Sequence, residues 1–233
     1  MHPLDAPIWN SLQAGWAELA QGDAHVVRLD PEHGPFAATA SAAPAEMAAL
    51  AGLIPQGGEL WLLGRDALAP TPAGLSVQRT ALLAQMVAYD PVPACDDGLD
   101  WRELDEADAA DMHALALLTK PGPFRARTHR LGRFIGVREE GRLIAMAGER
   151  MRMPGYAEVS GVCTHPDFRG RGLAGRLMRQ VMQTMQARGE TPFLHAYASH
   201  EKTIALYRAV GFKLRAELPM SVLISDVDPP ALI

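Results

Sequence analysis

The sequence predicts a mixed α+β fold in two domains, and three observations carry that prediction. Strand-like runs follow one another between residues 134 and 164 instead of alternating with helices. A long amphipathic helix spans Gly172 to Ala187, with Leu173, Leu177, Val181 and Met185 four apart on one face. Between these and a loosely patterned first part lies Tyr89 to Gly98, whose two prolines and three acids suit neither a helix nor a central strand. The expected domains are therefore 1–92, a smaller N-terminal α+β domain, and 93–233.

In the first part, Glu46 to Leu53 reads as a short helix broken by Gly57-Gly58, and Leu60-Trp-Leu-Leu63 as a short buried strand. Leu75 to Gln78 and Leu83 to Val87 are weaker strand candidates. In the second part, Asp105 to Leu118 sets Met112, Leu115 and Leu118 at helical spacing, and Pro121-Gly-Pro123 stops that helix. Phe134–Val137 and Leu143–Gly148 form a hairpin around Glu139-Glu-Gly141. Pro154-Gly155 turns the chain into a third strand, Tyr156 to Thr164. After the long helix come a strand at Phe193–Ala198, a helix at Lys202–Val210 stopped by Gly211, and strands at Phe212–Leu214 and Met220–Ile224. No short-period repeat is present.

Composition is that of an ordinary globular chain: 233 residues, 48% hydrophobic and 21% charged. The net charge of −5 argues against a general nucleic-acid binder. No apolar run approaches the roughly 18 residues of a membrane-spanning helix. Met1-His-Pro-Leu-Asp5 lacks the pattern of a signal peptide. The two cysteines, Cys95 and Cys163, form no Cys-x-x-Cys pair, and the expected location is cytoplasmic. Against the acidic background, Arg169, Arg171, Arg176 and Arg179 form a local basic cluster, which suits a small anionic ligand.

That cluster begins in Val162-Cys-Thr-His-Pro-Asp-Phe-Arg-Gly-Arg-Gly-Leu-Ala-Gly175, where a strand passes through a loop into a helix. Unpaired N–H groups at a helix start bind phosphate oxygens, and the helix dipole adds to the attraction. Gly170, Gly172 and Gly175 remove the Cβ atoms that would hold a ligand off, while Arg169 and Arg171 bring charge. The run Gly170-x-Gly172-x-x-Gly175 with Glu190 further on also copies the dinucleotide fingerprint. Its context differs. His165 to Arg169 separate strand from glycine, Glu190 precedes its strand, and too little chain remains for a dinucleotide domain.

Arg169-x-x-Gly172-x-Ala174 resembles the cofactor-loop motif of the GNAT superfamily of N-acyltransferases, and Tyr207-x-x-x-Gly211-Phe212 resembles a late motif of the same family. The order of elements from about Trp101 to Ile224 is similar as well. The resemblance implies a mostly antiparallel central sheet flanked by helices, acetyl-CoA as co-substrate with no metal, and direct attack of a primary amine of a small molecule or peptide on the thioester. It carries Val162, Cys163 and Thr164 over as pantetheine contacts, with Arg169, Gly170, Arg171, Gly172, Leu173, Ala174 and Gly175 as the pyrophosphate loop. Tyr207 is the implied acid for the leaving thiolate. A free thiol near 8.5 and a phenol near 10 are close enough for that transfer. Its alternative is a ring packed on a helix.

Glu158 is the candidate base, on the same face as Val162 by strand alternation; its alternative is an ion pair with Arg150 or Arg152. The family often has Asn where His200 stands, and His200 is taken as a cofactor contact. Other readings stay open. These are Cys163 as a nucleophile, His195, His200 and Cys163 as metal ligands, a phosphate contact at Arg176 and Arg179, a nucleic-acid contact at Arg169-Gly-Arg-Gly172, and a non-catalytic acyl-CoA-binding module. The N-terminal domain could be a decayed second copy or a lid, with Thr119 to His129 as a further wall of the amine site. No membrane or nucleic-acid partner is expected, and a homodimer is left open.

Overall fold

The computed structural model describes residues 2–93 and 98–226, so Cys95 and part of the expected linker lie outside the described residues. Contacts divide the chain into two units.

The first unit takes the described residues up to Pro31, then Pro35–Leu83, then those from Glu217 onward. It contains α1 (Pro7–Leu12) and an antiparallel sheet of β1 (Ala20–Gly22), β2 (Val26–Leu29) and β3 (Ala37–Thr39). Then come α2 (Pro44–Ala49) and β4 (Glu59–Leu63). Val26, Met47, Leu50, Leu60, Leu62, Leu75 and Leu223 form its apolar core. Trp16 stacks on Phe36 at 5.6 Å.

The second unit takes Glu32–Gly34 and Ala84–Ala216. β5 (Leu75–Val87) enters it, followed by β6 (Arg102–Leu104) and α3 (Ala109–Thr119). Next are β7 (Phe134–Glu139), β8 (Arg142–Met153), β9 (Tyr156–Thr164), α4 (Leu173–Ala187), β10 (Thr191–Tyr197), α5 (Glu201–Val210) and the start of β11 (Lys213–Ser225). The strand order here is β5-β10-β9-β8-β7-β6. β6, β7, β8 and β9 pair antiparallel, whereas β9 and β10 pair parallel. This is the mixed, mostly antiparallel sheet with flanking helices that the resemblance implies.

The long helix forms where the apolar stripe requires it. Leu173, Leu177, Val181 and Met185 are all buried on α4, joined by Met178 and Met182. They pack on Ile135, Ala145, Ala157, Val159 and Leu194 of the sheet. Each such side chain contributes about 1.5–3 kcal/mol by leaving water. The opposite face of the sheet packs Phe134, Leu143, Met146 and Cys163 against Met112, Leu115 and Ala116 of α3.

Several boundaries differ from expectation. The units divide inside β5, at Leu83/Ala84, and not at 92/93, and the chain returns to the first unit at Glu217. The reason is that two candidate strand pairs are single long strands, β5 and β11. The alternating pattern is lost in the exposed first half of β5. In β11, Pro219 reads as a break, but the pairing with β4 begins only at Met220. α1 and β1, β2, β3 and β6 were not expected; elements this short show too little periodicity to be read.

Candidate active site

β9 and β10 are paired only from Thr191↔Tyr156 to Phe193↔Glu158. Both strands continue past that point, β9 to Thr164 and β10 to Tyr197, without pairing further with each other. The sheet opens there into a wedge. β9 also carries one residue more than β8 between Cys163, opposite Met146, and Ser160, opposite Gly148. This bulge centres on Gly161. Its φ is +61°, and a Cβ there would stand 2.6 Å from the Phe134 ring, so glycine is required twice over.

The bulge corrects one expectation. Val162 packs with Ala157 and Val159 on the α4 side, whereas Cys163 belongs to the cluster beneath α3. Glu158 alternates with Ala157 and Val159. Glu158 and Val162 therefore face opposite sides of the sheet, because the extra residue reverses the alternation between them.

A cleft of about 640 Å³ opens from the end of β9 to the start of α4 and the facing side of α5. Val162, Cys163 and Thr164 line it, as do all seven residues from Arg169 to Gly175, together with Tyr207. Phe168, Thr119, Arg179 and Leu206 also line it, residues with no motif of their own except Arg179. The site residues expected on the donor side are thus brought together, apart from His200. His200 is exposed at the start of α5, its ring 5.0 Å from that of Tyr197, and is not among the lining residues.

The loop has the build of an anion cradle. Gly170 and Gly172 hold φ of +80° and +72°, and a Cβ on either would project into open space. Gly172 caps α4 with no side-chain bond, and the first turn of α4 holds no acid. The first-turn N–H groups are therefore presented to the cleft with the positive end of a 15-residue helix behind them. Arg171 pairs with Glu139 at 2.8 Å over the Phe168 ring. Arg179 reaches towards the carbonyls of Gly175 and Ala209 at 3.5 Å. Such a cradle suits the pyrophosphate of a coenzyme A thioester.

Two titratable groups of the cleft are shifted by burial. It pushes the Tyr207 phenol up to about 12, with the charges of Cys163 and Glu158 adding to the effect. It pushes the Cys163 thiol up to about 12 as well, against a hydrogen bond with Thr119. A thiol raised this far disfavours the thiolate that a nucleophile needs, which argues against the nucleophile reading.

Glu158 is fully buried where the wedge begins. Arg150 grips it through two bonds, Nε to Oε2 at 2.8 Å and Nη2 to Oε1 at 2.9 Å. His195 Nδ1 lies 2.8 Å from Oε1. Burial pushes this carboxyl up, but Arg150 and His195 outweigh it and hold it at about 2. The ion pair with Arg150 is the alternative that sequence left open for Glu158.

Other titratable residues singled out by sequence have structural partners. Glu190 binds Arg152 at 2.5 Å and Arg188 at 2.7 Å, which accounts for the acid of the apparent dinucleotide fingerprint. His165 accepts the Asp167 N–H at 3.3 Å, and Arg142 approaches its other nitrogen. Within Thr119 to His129 only Thr119 lines the cleft. Thr128 binds the His33 carbonyl at 2.7 Å, and His129 binds Glu106 at 3.0 Å.

A GNAT-family protein of known structure from Novosphingobium aromaticivorans superposes with a TM-score of 0.91 and 49% identity, covering 97% of this chain and 100% of its own. The chain belongs to the GNAT family. A second GNAT structure, a GCN5-related N-acetyltransferase from Kribbella flavida, shares the fold over 96% of both chains at a TM-score of 0.60 and 19% identity. The profile of the FR47-like protein family matches residues 134–219, from the start of β7 into β11. The N-alpha-acetyltransferase RimI of Mycobacterium tuberculosis is 35% identical over 83 residues, which are 34% of this chain and 51% of RimI. The chain thus spans about half the length of that curated relative. No helix among the described residues is long and apolar enough to cross a membrane.

Proposed function

We propose that this GNAT protein is an N-acetyltransferase that moves an acetyl group from acetyl-CoA to a primary amine of a small molecule or a peptide. One observation carries the proposal: the glycine cradle at the start of α4 and the phenol of Tyr207 line one cleft, which begins beside the opened edge of β9. Bound acetyl-CoA supplies an activated acyl group and a thiolate leaving group. The α4 start and its loop hold the anionic end. Backbone groups of Val162 to Thr164, beyond the last rung shared with β10, are free of that ladder to hold the pantetheine arm and polarise the acyl carbonyl.

Tyr207 delivers the proton to the departing sulfur. A phenol at about 12 facing a water-exposed thiolate near 8.5 would be mismatched by roughly 5 kcal/mol. The cleft itself reduces the mismatch. The burial that raises Tyr207 also raises the Cys163 thiol beside it to about 12, and a thiolate released there is raised in the same direction. Acid and leaving group thus stay close enough for proton transfer as the C–S bond breaks. Cys163 acts as a small wall residue, and a buried free thiol suits a reducing, cytoplasmic compartment.

The test is to add acetyl-CoA and a panel of small amines and peptides, follow the release of free thiol, and weigh the acceptor by mass spectrometry. An acceptor heavier by one acetyl group is expected. Tight binding of acetyl-CoA with no acylated product from any amine would defeat the proposal.

A further inference from the structure

Building on the acetyl-transfer reading, we infer that His195 is the proton acceptor for the incoming amine and that Glu158 is its positioning residue. The inference stands on a buried polar chain that crosses the sheet at the root of the wedge. Arg150 of β8 holds both oxygens of Glu158 on β9. Glu158 Oε1 faces His195 Nδ1 on β10 at 2.8 Å. His195 Nε2 faces Gln85 Nε2 on β5 at 3.1 Å. Arg215 of β11 donates to Gln85 Oε1 at 2.7 Å.

The chain of partners assigns the His195 tautomer. Arg215 can only donate, so the Gln85 oxygen faces it and the Gln85 amide N–H₂ faces His195. His195 Nε2 is therefore the acceptor and Nδ1 carries the hydrogen, donated to the Glu158 carboxylate. This is the arrangement of a general base: a lone pair on one nitrogen and an anion behind the other. Glu158 is poorly built for that job, since both its oxygens are occupied and it is held at about 2. Glu158 and Gln85 meet His195 directly, with Arg150 behind the first and Arg215 behind the second. Across the wedge, the Tyr207 phenol feels the charge of Glu158.

Position supports the role as strongly as protonation. Phe193 and Glu158 form the last rung of the β9–β10 ladder, and His195 is the next side chain of β10 on the face of Glu158. It lies two residues beyond the last β9–β10 rung, where the two strands part. Its side chain is 4% exposed, so an amine would meet it out of bulk water.

An ammonium passes one proton to His195 Nε2, which takes the place of the Gln85 hydrogen bond. The nitrogen–carbon bond forms, and the carbon–sulfur bond breaks with its electron pair going to sulfur. Sulfur takes the Tyr207 proton, and the second proton lost by nitrogen returns to the Tyr207 oxygen. Net, an ammonium and an acetyl thioester give an amide, a thiol and one proton, which His195 releases to water.

The experiment compares wild type, His195→Gln and Glu158→Gln in acetyl transfer across pH 5.5 to 9.5, with acetyl-CoA affinity by titration calorimetry. General-base removal predicts a fall in kcat of about a hundredfold or more for His195→Gln. Acetyl-CoA affinity should stay within about twofold, and the acidic limb of the kcat profile should vanish. Glu158→Gln should lower kcat by less than His195→Gln does, because the imidazole keeps a hydrogen-bond partner at Nδ1 but loses the anion behind it. His195→Gln with kcat within threefold and an unchanged limb would overturn the role. Should either variant fail to fold, ¹⁵N spectra of wild-type histidines decide instead: a hydrogen on Nδ1 and none on Nε2 supports the assignment, and the reverse overturns it. Wild type that acetylates no amine defeats the acetyl-transfer reading itself, an outcome distinct from any difference among the variants.

Discussion

Glu158 is the last residue of β9 to share a rung with β10, and His195 reaches its carboxylate with Nδ1 at 2.8 Å. The hydrogen-bonded ladder is thus continued for one more step by side chains. This contact ties the opened strands together just where backbone bonds cease to do so.

Arg150 is the partner that makes a buried Glu158 tolerable. Arg150→Ala should destabilise the protein by about 3–5 kcal/mol, since it strands a charge away from water. Equilibrium urea unfolding at pH 7 measures it; a loss below about 1 kcal/mol would show that His195 suffices alone.

The same pair makes stability depend on pH with a definite sign. The Glu158 carboxyl sits at about 2 when folded and near 4.3 when unfolded. A lowered value contributes stability that is complete above about 4.3 and is lost as pH falls towards 2. Glu158→Gln should flatten the fall in stability between pH 5 and pH 2.5, as read by urea midpoints at each pH.

Tyr207→Phe removes the acid but keeps the ring against Phe212. The expected result is a drop of about a hundredfold in kcat with little change in acetyl-CoA affinity. Because the phenol is held at about 12, wild-type kcat should show no alkaline loss from this group below about pH 10. Stopped-flow thiol release across pH tests both points.

Gly172→Ala forces a side chain into the left-handed region at the head of α4. The strain is about 1–2 kcal/mol, which a melting curve should register, and acetyl-CoA affinity should fall. Cys163→Ala is the contrast. It should keep kcat within a few-fold and leave no acylated protein on the mass spectrum, because the thiol is held at about 12 and forms no acyl-enzyme.

Much of the second unit could be read from local pattern. The stripe of α4, the β7–β8 hairpin and the two motifs depend on residues close in sequence, and the donor cleft follows from them. The root of the wedge could not be read that way. Gln85, Arg150, Glu158, His195 and Arg215 lie on five strands, and only the pairing of those strands brings them together. In sequence His195 reads only as a metal-ligand candidate, and nothing in the neighbourhoods of Gln85 and Arg215 marks them. Strand alternation fails between Glu158 and Val162 because a bulge leaves no trace in periodicity except a glycine, here Gly161. The early elements of the first unit are illegible because three to six residues are too few to show a period.

Gly161 also sets a rule for how this strand tolerates change. Before it, even-numbered positions of β9 look towards α3; after it, odd-numbered ones do. Deleting that single glycine would restore one unbroken parity and exchange the directions of every residue on one side of it. The resulting strand would be more regular, with its cofactor-facing and core-facing side chains transposed. What β9 must preserve is therefore a count as much as a set of letters: a one-residue gap between Ser160 and Val162 would undo the arrangement.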